Sequence, residues 1–503
     1  MRIGIDLGTT FSAVASVRDS GIAEIITNRD GDRTTPSVVM FEDGAIVVGE
    51  QAKENSVVDP YNVCQFVKRQ MGKSSFSFDV SATEKYRAEE ISAMILKRLK
   101  EDAEASCGEK ADGAVITVPA YFDDAQRKAT QDAGEIAGLN VIGIINEPTA
   151  AAIAYCHGQT NADGNVMVYD LGGGTFDITI MRLSDNLKKV DILATTGNRN
   201  LGGFDFDNAI INKVVEEANR QYGIDLEDDD TAYQDLRIKA ENAKKALSNR
   251  PKANIALVSQ GKAIKVEITR DEFDSLIKSY LESTKISMEM AMDDANLHWS
   301  DISKIILVGG STRVPAVQNM IRELTGIEPS HDLNPDEAVA IGAAYYADMI
   351  QVEDEQEQSK VERVVQVTDV NSHSLGVITY DNNIPAATFI LMRNTPLPAS
   401  NEMVFYTRTE GQEALDVVIV EGEDEDPNYD TIIGQARMML TPRPANSPIA
   451  VAMQYDVNGI IHVRLRDEVD GRDLGEMHIE RDLNLSAADV EEKKTKFDQI
   501  NIE

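Results

Sequence analysis

The sequence predicts a multidomain protein, with a duplicated α/β fold in its longer N-terminal part and an antiparallel β-sandwich after it. Three observations carry this reading. An Asp-Leu-Gly turn sits between apolar, alternating runs twice, in IGIDLGTTFSAVAS (residues 3–16) and VYDLGGGTFDITI (residues 168–180). A buried-strand pattern enters a glycine turn and then an amphipathic helix in IILVGGSTRVPAVQNMI (residues 305–321). Beyond residue 370 the mixed pattern gives way to short alternating segments. At 503 residues the chain exceeds what one hydrophobic core usually serves, so two or three domains are expected.

Each Asp-Leu-Gly stretch reads as strand, tight turn, strand. Glycine lets backbone N–H groups approach a ligand without interference from a Cβ atom, and a run of such groups forms a concavity suited to phosphate. Asp170 and Asp177 would flank the second turn, where a hydrated divalent cation can bridge them to phosphates. One such hairpin also fits a tight turn flanked by surface acids. Two copies, the first with Asp6, Leu7, Gly8, Thr9 and Thr10, imply a duplicated unit whose hairpins clamp a polyphosphate from opposite sides.

Other segments suit such a cleft. Gly309, Gly310 and Ser311 form a strand-to-helix turn that presents free N–H groups and a helix dipole to anions. Gly202 and Gly203 precede another helix. In QDLRIKAENAKKALS (residues 234–248), Glu241, Lys244, Lys245 and Ser248 share one face, beside an apolar stripe of Leu236, Ala240, Ala243 and Leu247. On its own, a polar stripe of this kind is usually just solvated.

Composition excludes several classes. A formal charge of −36, from 85 acidic and 49 basic residues, argues against nucleic-acid and anionic-membrane partners. Cys64, Cys107 and Cys156 are scattered and read as reduced thiols, with no zinc or disulfide framework. MRIGIDLGTT lacks a signal-peptide core, and no apolar run of about 18 residues occurs, so the expected location is the cytoplasm. His157, His331, His373 and His462 share no spacing and read as structural or surface residues.

In order along the chain, IDLGTT, VKRQMG, VITVPAYFDDAQRKAT, INEPTAAAIAY, DLGGGTFD, GGFDFD, AENAKKALS, ILVGGSTRVP and NPDEAVAIGAA resemble the 70 kDa heat-shock chaperones of the DnaK type. SLGVITY and NGIIHVRLRD resemble that family's peptide-binding sandwich. The resemblance implies an actin-like (ribonuclease H-like, duplicated) ATPase domain over residues 1–355, a linker over 356–369, a sandwich over 370–485 and a short C-terminal helix over 486–503. It implies ATP or ADP held with magnesium and potassium. Carried onto matching positions, Gly8, Thr9, Thr10, Gly172, Gly173, Gly174 and Thr175 resemble the phosphate shell, with Asp6 at the metal. Lys68, by itself an ordinary surface lysine, matches the lysine that orients the attacking water. Glu147 and Asp170 match carboxylates that hold metal-bound water, and Asp177 a further acid ordering water and ions. Glu241, Lys244, Lys245 and Ser248 fall where the family holds adenosine. Gly202, Gly203, Gly309, Gly310, Ser311, Arg313 and Asp336 resemble the remaining nucleotide-side positions, and Pro119 and Arg127 an interdomain switch. Phosphoryl transfer to water needs positioning and charge neutralisation, so such a set requires no covalent nucleophile.

QVEDEQEQSK (residues 351–360) is a charged run without apolar period and marks the domain exit, with VVQVTDV (residues 364–370) next as linker. Beyond it ATFILM, MVFYTR, LDVVIV and IIHVRL, separated by turn signals, read as sandwich strands. By resemblance Val377, Tyr380, Phe405, Arg408, Leu415, Val417 and Ile460 fall at peptide-groove positions, with Tyr380 and Arg408 as an arch over an extended peptide. The implied partners are unfolded or extended polypeptide segments, a J-domain co-chaperone and a nucleotide exchange factor, acting on a monomer.

Four departures qualify this. The family's helical lid is not expected after AADVEEKKTKFDQINIE, which implies fast peptide release in either nucleotide state. The linker lacks the usual acid-then-leucines, and Gly143 stands where bacterial relatives commonly place an arginine. Phe204 replaces the usual acid in GG-x-DFD. Weak or specialised J-domain coupling follows. The competing readings are a nucleotide-binding scaffold or co-chaperone with little turnover, and an actin-like filament protein or sugar kinase, which the C-terminal sandwich disfavours.

Overall fold

One strand topology occurs twice. In the first lobe, strands Arg2–Asp6 and Phe11–Val17 pair as an antiparallel hairpin. Arg2–Asp6 runs parallel to Gly113–Val118, and that strand parallel to Val141–Asn146. In the second lobe, Gly164–Leu171 and Phe176–Ser184 form the hairpin, Ile302–Val308 lies parallel beside it, and Lys189–Asn198 closes the other side. The duplication read from the two Asp-Leu-Gly turns is therefore the architecture of the protein. The computed structural model describes every residue except 43, 159–162, 186–187, 351–365, 382–383, 456–460, 478–484 and 501.

Helices α1 (Glu50–Asn55), α2 (Ala88–Cys107) and α3 (Asp124–Ile136) belong to the first lobe, and α4 (Glu147–Gly158) leaves its last strand. The second lobe carries α5 (Gly203–Tyr222), α6 (Asp230–Asn249), α7 (Arg270–Leu276), α8 (Lys278–Asp294) and α9 (Pro315–Thr325), and α10 (Ala338–Met349) follows. Local chemistry explains several starts: Asp123 caps α3 by accepting from the Gln126 amide, and Thr269 caps α7 through Glu272. Helices α4 and α10 cross between the two sheets, and their contact is intimate. A Cβ built on Gly342 would stand 1.7 Å from the Ala150 carbonyl oxygen. Ala150, Ile153, Val168, Val308 and Ala343 form a shared core at this crossing, separate from the core inside each lobe.

The alternating segments after residue 370 form two four-stranded antiparallel sheets. One runs Ile384–Leu391, Ser374–Asp381, Gln412–Gly422, Thr431–Arg443; the other runs Ala399–Tyr406, Pro448–Tyr455, Ile461–Asp467, Arg472–Met477. Leu375, Ile419, Met453, Val463 and Leu465 fill the space between them. This is the expected β-sandwich.

The sandwich rests on both lobes. Part of the segment read as the interdomain linker forms an edge strand: Gln366–Thr368 pairs parallel to Lys189–Asp191. The physical reason lies in the segment itself, where Val367 is β-branched and the neighbouring sheet edge is open. The earlier part of that linker and the QVEDEQEQSK exit lie outside the described residues. Arg393 pairs with Asp294 at 2.9 Å, the Thr195 amide donates to Asn394 at 2.9 Å, and Asn146 donates to Asp369 at 2.8 Å. The Ser372 hydroxyl donates to the Ala120 carbonyl.

Helix α11 (Ala487–Phe497), capped by Ser486, packs on the first lobe. Phe497 and Ile502 are buried in that lobe's core. Lys97 donates to the Phe497 and Ile500 carbonyls at 2.6 and 2.7 Å, Lys493 pairs with Glu90 at 2.8 Å, and Ile502 bridges Ile46 at the edge of a small sheet. Among the described residues, no helix is long and apolar enough to cross a membrane.

Candidate functional site

The two hairpin turns face each other at the base of a cleft. Thr9 and Thr10 meet Gly173 and Gly174 so closely that a Cβ on Gly173 would lie 1.8 Å from the Thr10 hydroxyl oxygen. Only glycine permits this approach. Ser12 and Ser37 brace the first turn, the Gly8 amide donating to Ser12 at 3.2 Å and the Ser37 hydroxyl donating to the Gly8 carbonyl at 2.8 Å. Above the turns opens a cavity of about 1130 Å³. Asp6, Gly8, Thr9, Thr10, Lys68, Glu147, Asp170, Gly172, Gly173 and Thr175 line its floor, and Glu241, Lys244, Lys245, Ser248, Gly309, Gly310, Ser311, Arg313 and Asp336 its sides. Gly174, Gly202, Gly203 and Asp177 are not on this wall. They stand behind it: Gly203 and Phe204 donate to the Gly172 and Gly173 carbonyls at 2.9 and 2.8 Å, and Asp177 is the cross-strand partner of Asp170.

The floor is strongly electrostatic. Lys68 Nζ and Glu147 Oε1 are 2.5 Å apart and both side chains are buried. Three further carboxylates share the space with them. Burial, then the charge of Glu147, raises Asp6 and Asp177 to about 7, and the same two causes, burial first, hold Asp170 well above the usual carboxylate range. The Tyr121 amide donates to Asp177 Oδ1 at 3.0 Å, whereas Asp177 Oδ2 is buried without a hydrogen-bond partner. Such a cluster calls for compensating positive charge. No three acid, histidine or cysteine side chains among the described residues close on one ion directly. The donor set therefore fits a magnesium ion held through water and poorly fits a fully protein-ligated one.

On the upper sides, burial would raise Glu241, but Lys53 and Lys245 hold it at about 2, each 2.7 Å away. Lys53 stands on α1 and Glu241 on α6, so this pair joins the two lobes across the cavity mouth. Lys244 is fixed by Asp207 at 2.8 Å and by the Gly203 carbonyl at 2.9 Å. Ser311 donates to the Gly172 carbonyl at 2.9 Å, and Arg313 pairs with Asp336 at 2.6 Å.

Several wall residues escape sequence reasoning. Phe11, with Lys53 and Lys245 at 4.8 and 5.1 Å from its ring centre, directly follows the double threonine, so its position was the available signal. Arg33, bidentate to Glu337 at 2.6 and 2.7 Å, and His331 come from loops without pattern. His331 thus lies on the cavity wall, and His373, read as structural or surface, is buried between the sandwich and the first lobe.

At the groove positions, Arg408 lies over the Tyr380 ring at 5.0 Å. Phe405 and Leu415 are half-buried, whereas Val377 and Val417 face into the sandwich core, because they occupy inward positions on neighbouring strands. Ile460 lies outside the described residues. Arg127 donates to the Asn146 side chain at 2.6 Å and to the Ala120 carbonyl at 3.2 Å, and the Pro119 carbonyl accepts from the Phe122 amide at 3.1 Å. Both residues therefore adjoin the loop that the sandwich touches.

The family model described as Hsp70 protein matches residues 2–502.

Proposed function

The chain belongs to the Hsp70 family, in which an actin-like ATPase domain precedes a β-sandwich in a chaperone-type protein, and from that premise we propose that it hydrolyses ATP and holds extended apolar segments of unfolded polypeptides. The observation that supports this most is the buried Lys68–Glu147 pair, set between two facing glycine turns on the floor of one cavity.

The division of labour follows from the wall. The N–H groups of the Gly8–Thr10 and Gly172–Gly174 turns receive the phosphates from opposite sides, which supplies positioning and charge neutralisation. Asp6, Glu147 and Asp170, with Asp177 behind them, would hold a hydrated magnesium ion, which would supply neutralisation of phosphate charge. Lys68, fixed by Glu147, presents one donor toward the terminal phosphate and its attacking water, and Thr175 presents a hydroxyl on the same side. Glu241, Lys244, Lys245 and Ser248 take the adenosine end, and potassium would be a second bound ion.

In the sandwich, Tyr380 and Arg408 arch over a peptide that hydrogen-bonds by its main chain. Domain limits of 1–355 and 370–485 accompany this reading, with the strand Gln366–Thr368 as the coupling segment. J-domain stimulation is proposed to be weak, since Gly143 lacks the arginine side chain that the family resemblance leads one to expect there.

A single-turnover ATP assay, with and without an unfolded peptide, tests the reading. Cleavage of bound ATP and a peptide-dependent change in its rate are the expected results. Nucleotide binding without cleavage would favour a scaffold instead.

A further inference from the structure

Cleavage would leave inorganic phosphate on the floor of the cavity, beneath an ADP that fills the way out. A second cavity, of about 180 Å³, lies behind that floor. Lys68 and Thr175 line both cavities. These are the two side chains that the proposed function sets beside the terminal phosphate.

The rear cavity has the sign an anion requires. Its wall carries Lys68, Arg69, Lys73 and Arg199 against one acid, Asp123. In a chain of net charge −36 such a concentration of cations is local and specific. The cations also form a gradient of exposure. The Lys68 side chain is 5 % exposed, Arg69 12 % and Arg199 31 %, and Lys73 stands in solvent.

Each cation already has an acceptor. Lys68 pairs with Glu147, Arg69 with Asp205 at 3.1 Å, Arg199 with Asp123, and Lys73 donates to Gln70 at 3.2 Å. An anion moving outward would exchange these partners one after another and would meet no single deep trap. Charge-assisted bonds of this kind are strong enough to guide and, because already shared, too weak to hold.

We propose that this rear cavity is the exit route for inorganic phosphate, which leaves past Lys68 and Thr175, over Arg69 and Arg199, to Lys73, while ADP stays bound. The inference rests on the hydrolytic reading above and deepens it. One wall of the route, Phe122 and Asp123, continues the loop whose Ala120 carbonyl accepts from Ser372 of the sandwich.

The test follows one turnover of the full-length protein with three readouts: cleavage by acid quench, free phosphate by a fluorescent phosphate-binding sensor, and ADP release by a fluorescent ADP analogue. In the wild type, phosphate should appear in solution before ADP. Lys73→Glu, at an exposed position that leaves folding untouched, and Arg199→Gln should each slow phosphate release three- to tenfold. Cleavage and ADP release should not change, and Arg199→Lys should restore much of the rate. Phosphate appearing only together with ADP, or release that is unchanged or faster in both Lys73→Glu and Arg199→Gln, would overturn the route while leaving the hydrolytic function standing. A wild-type protein that cleaves no bound ATP would overturn the function itself, and the exit route with it.

Discussion

His373 and Asp177 hold opposite sides of one residue. The amide of Tyr121 donates to Asp177 at 3.0 Å, while its carbonyl faces His373 Nε2 at 3.3 Å and its ring packs on the imidazole with centres 4.2 Å apart. A sandwich residue and a buried acid behind the cavity floor are thereby two contacts apart. Displacement of His373 has a short physical path to that carboxylate.

The imidazole itself makes docking sensitive to acid. Burial, then the charge of Arg199, pushes His373 down to about 4 from 6.5, with Arg127 acting the same way and the Tyr121 carbonyl and Asp123 opposing. The docked state holds the neutral ring, so this contribution is complete above about pH 6.5 and is lost as pH falls toward 4. At pH 5.5 docking should be weakened about tenfold. Asp369 and Glu423, raised by burial at the same interface, act with the opposite sign. Small-angle scattering at pH 7.5 and 5.5 isolates the histidine when wild type is compared with His373→Leu. The variant should lose the acid-induced expansion.

Replacing Lys68 by alanine should separate binding from chemistry. The lysine is the only cation bonded to Glu147 at 2.5 Å in the described site, and its loss removes a fixed donor from the reaction side. Single-turnover cleavage should fall by about 10²- to 10³-fold. Nucleotide affinity, measured by titration calorimetry, should change only a few-fold.

Asp177 should trade stability for activity. Raised to about 7 from 3.8, it keeps its proton in the folded protein where the unfolded chain has lost it. Its contribution to stability is complete below about pH 4 and is lost as pH rises through about 7. Asp6, raised to the same value, adds a slope of the same sign. Without magnesium or nucleotide, Asp177→Asn should therefore be about 1–3 kcal/mol more stable than wild type at pH 8, with a smaller difference at pH 5. Urea unfolding at both pH values measures this, and the variant should be slow in cleavage.

Gly342→Ala tests the crossing of α4 and α10. The added methyl would stand 1.7 Å from the Ala150 carbonyl, so the helices must separate. A loss of about 3 kcal/mol or more in urea unfolding is expected, because backbone cannot yield as a flexible side chain does. An unchanged midpoint would show that the crossing is looser than this.

What the sequence discloses and what it withholds divide along a physical line. The glycine turns, the polar face of α6 and the sandwich alternation are local patterns, and each is legible because neighbouring residues alone create it. The apolar AVAIGAAYYADM likewise matches a helix buried on all sides. By contrast, the Tyr121–His373 contact joins residues remote in the chain, and no periodicity encodes it. Phe11, Arg33 and His331 reach the cavity by the folding of loops around it. The strand Gln366–Thr368 had the signal of β-branched alternation, yet its partner edge is set by tertiary placement. Helix α11 was readable as a helix, but Phe497 gives no local indication that its burial site is the first lobe and not the sandwich.

The sandwich is moored at two points, by Gln366–Thr368 on the second lobe and by α11 on the first. A body leashed at both ends that lifts off its seat is still confined near it, at a local concentration on the order of millimolar. Re-seating is then a unimolecular event, indifferent to how dilute the protein is, and freeing either mooring would widen the volume that the sandwich explores before it returns.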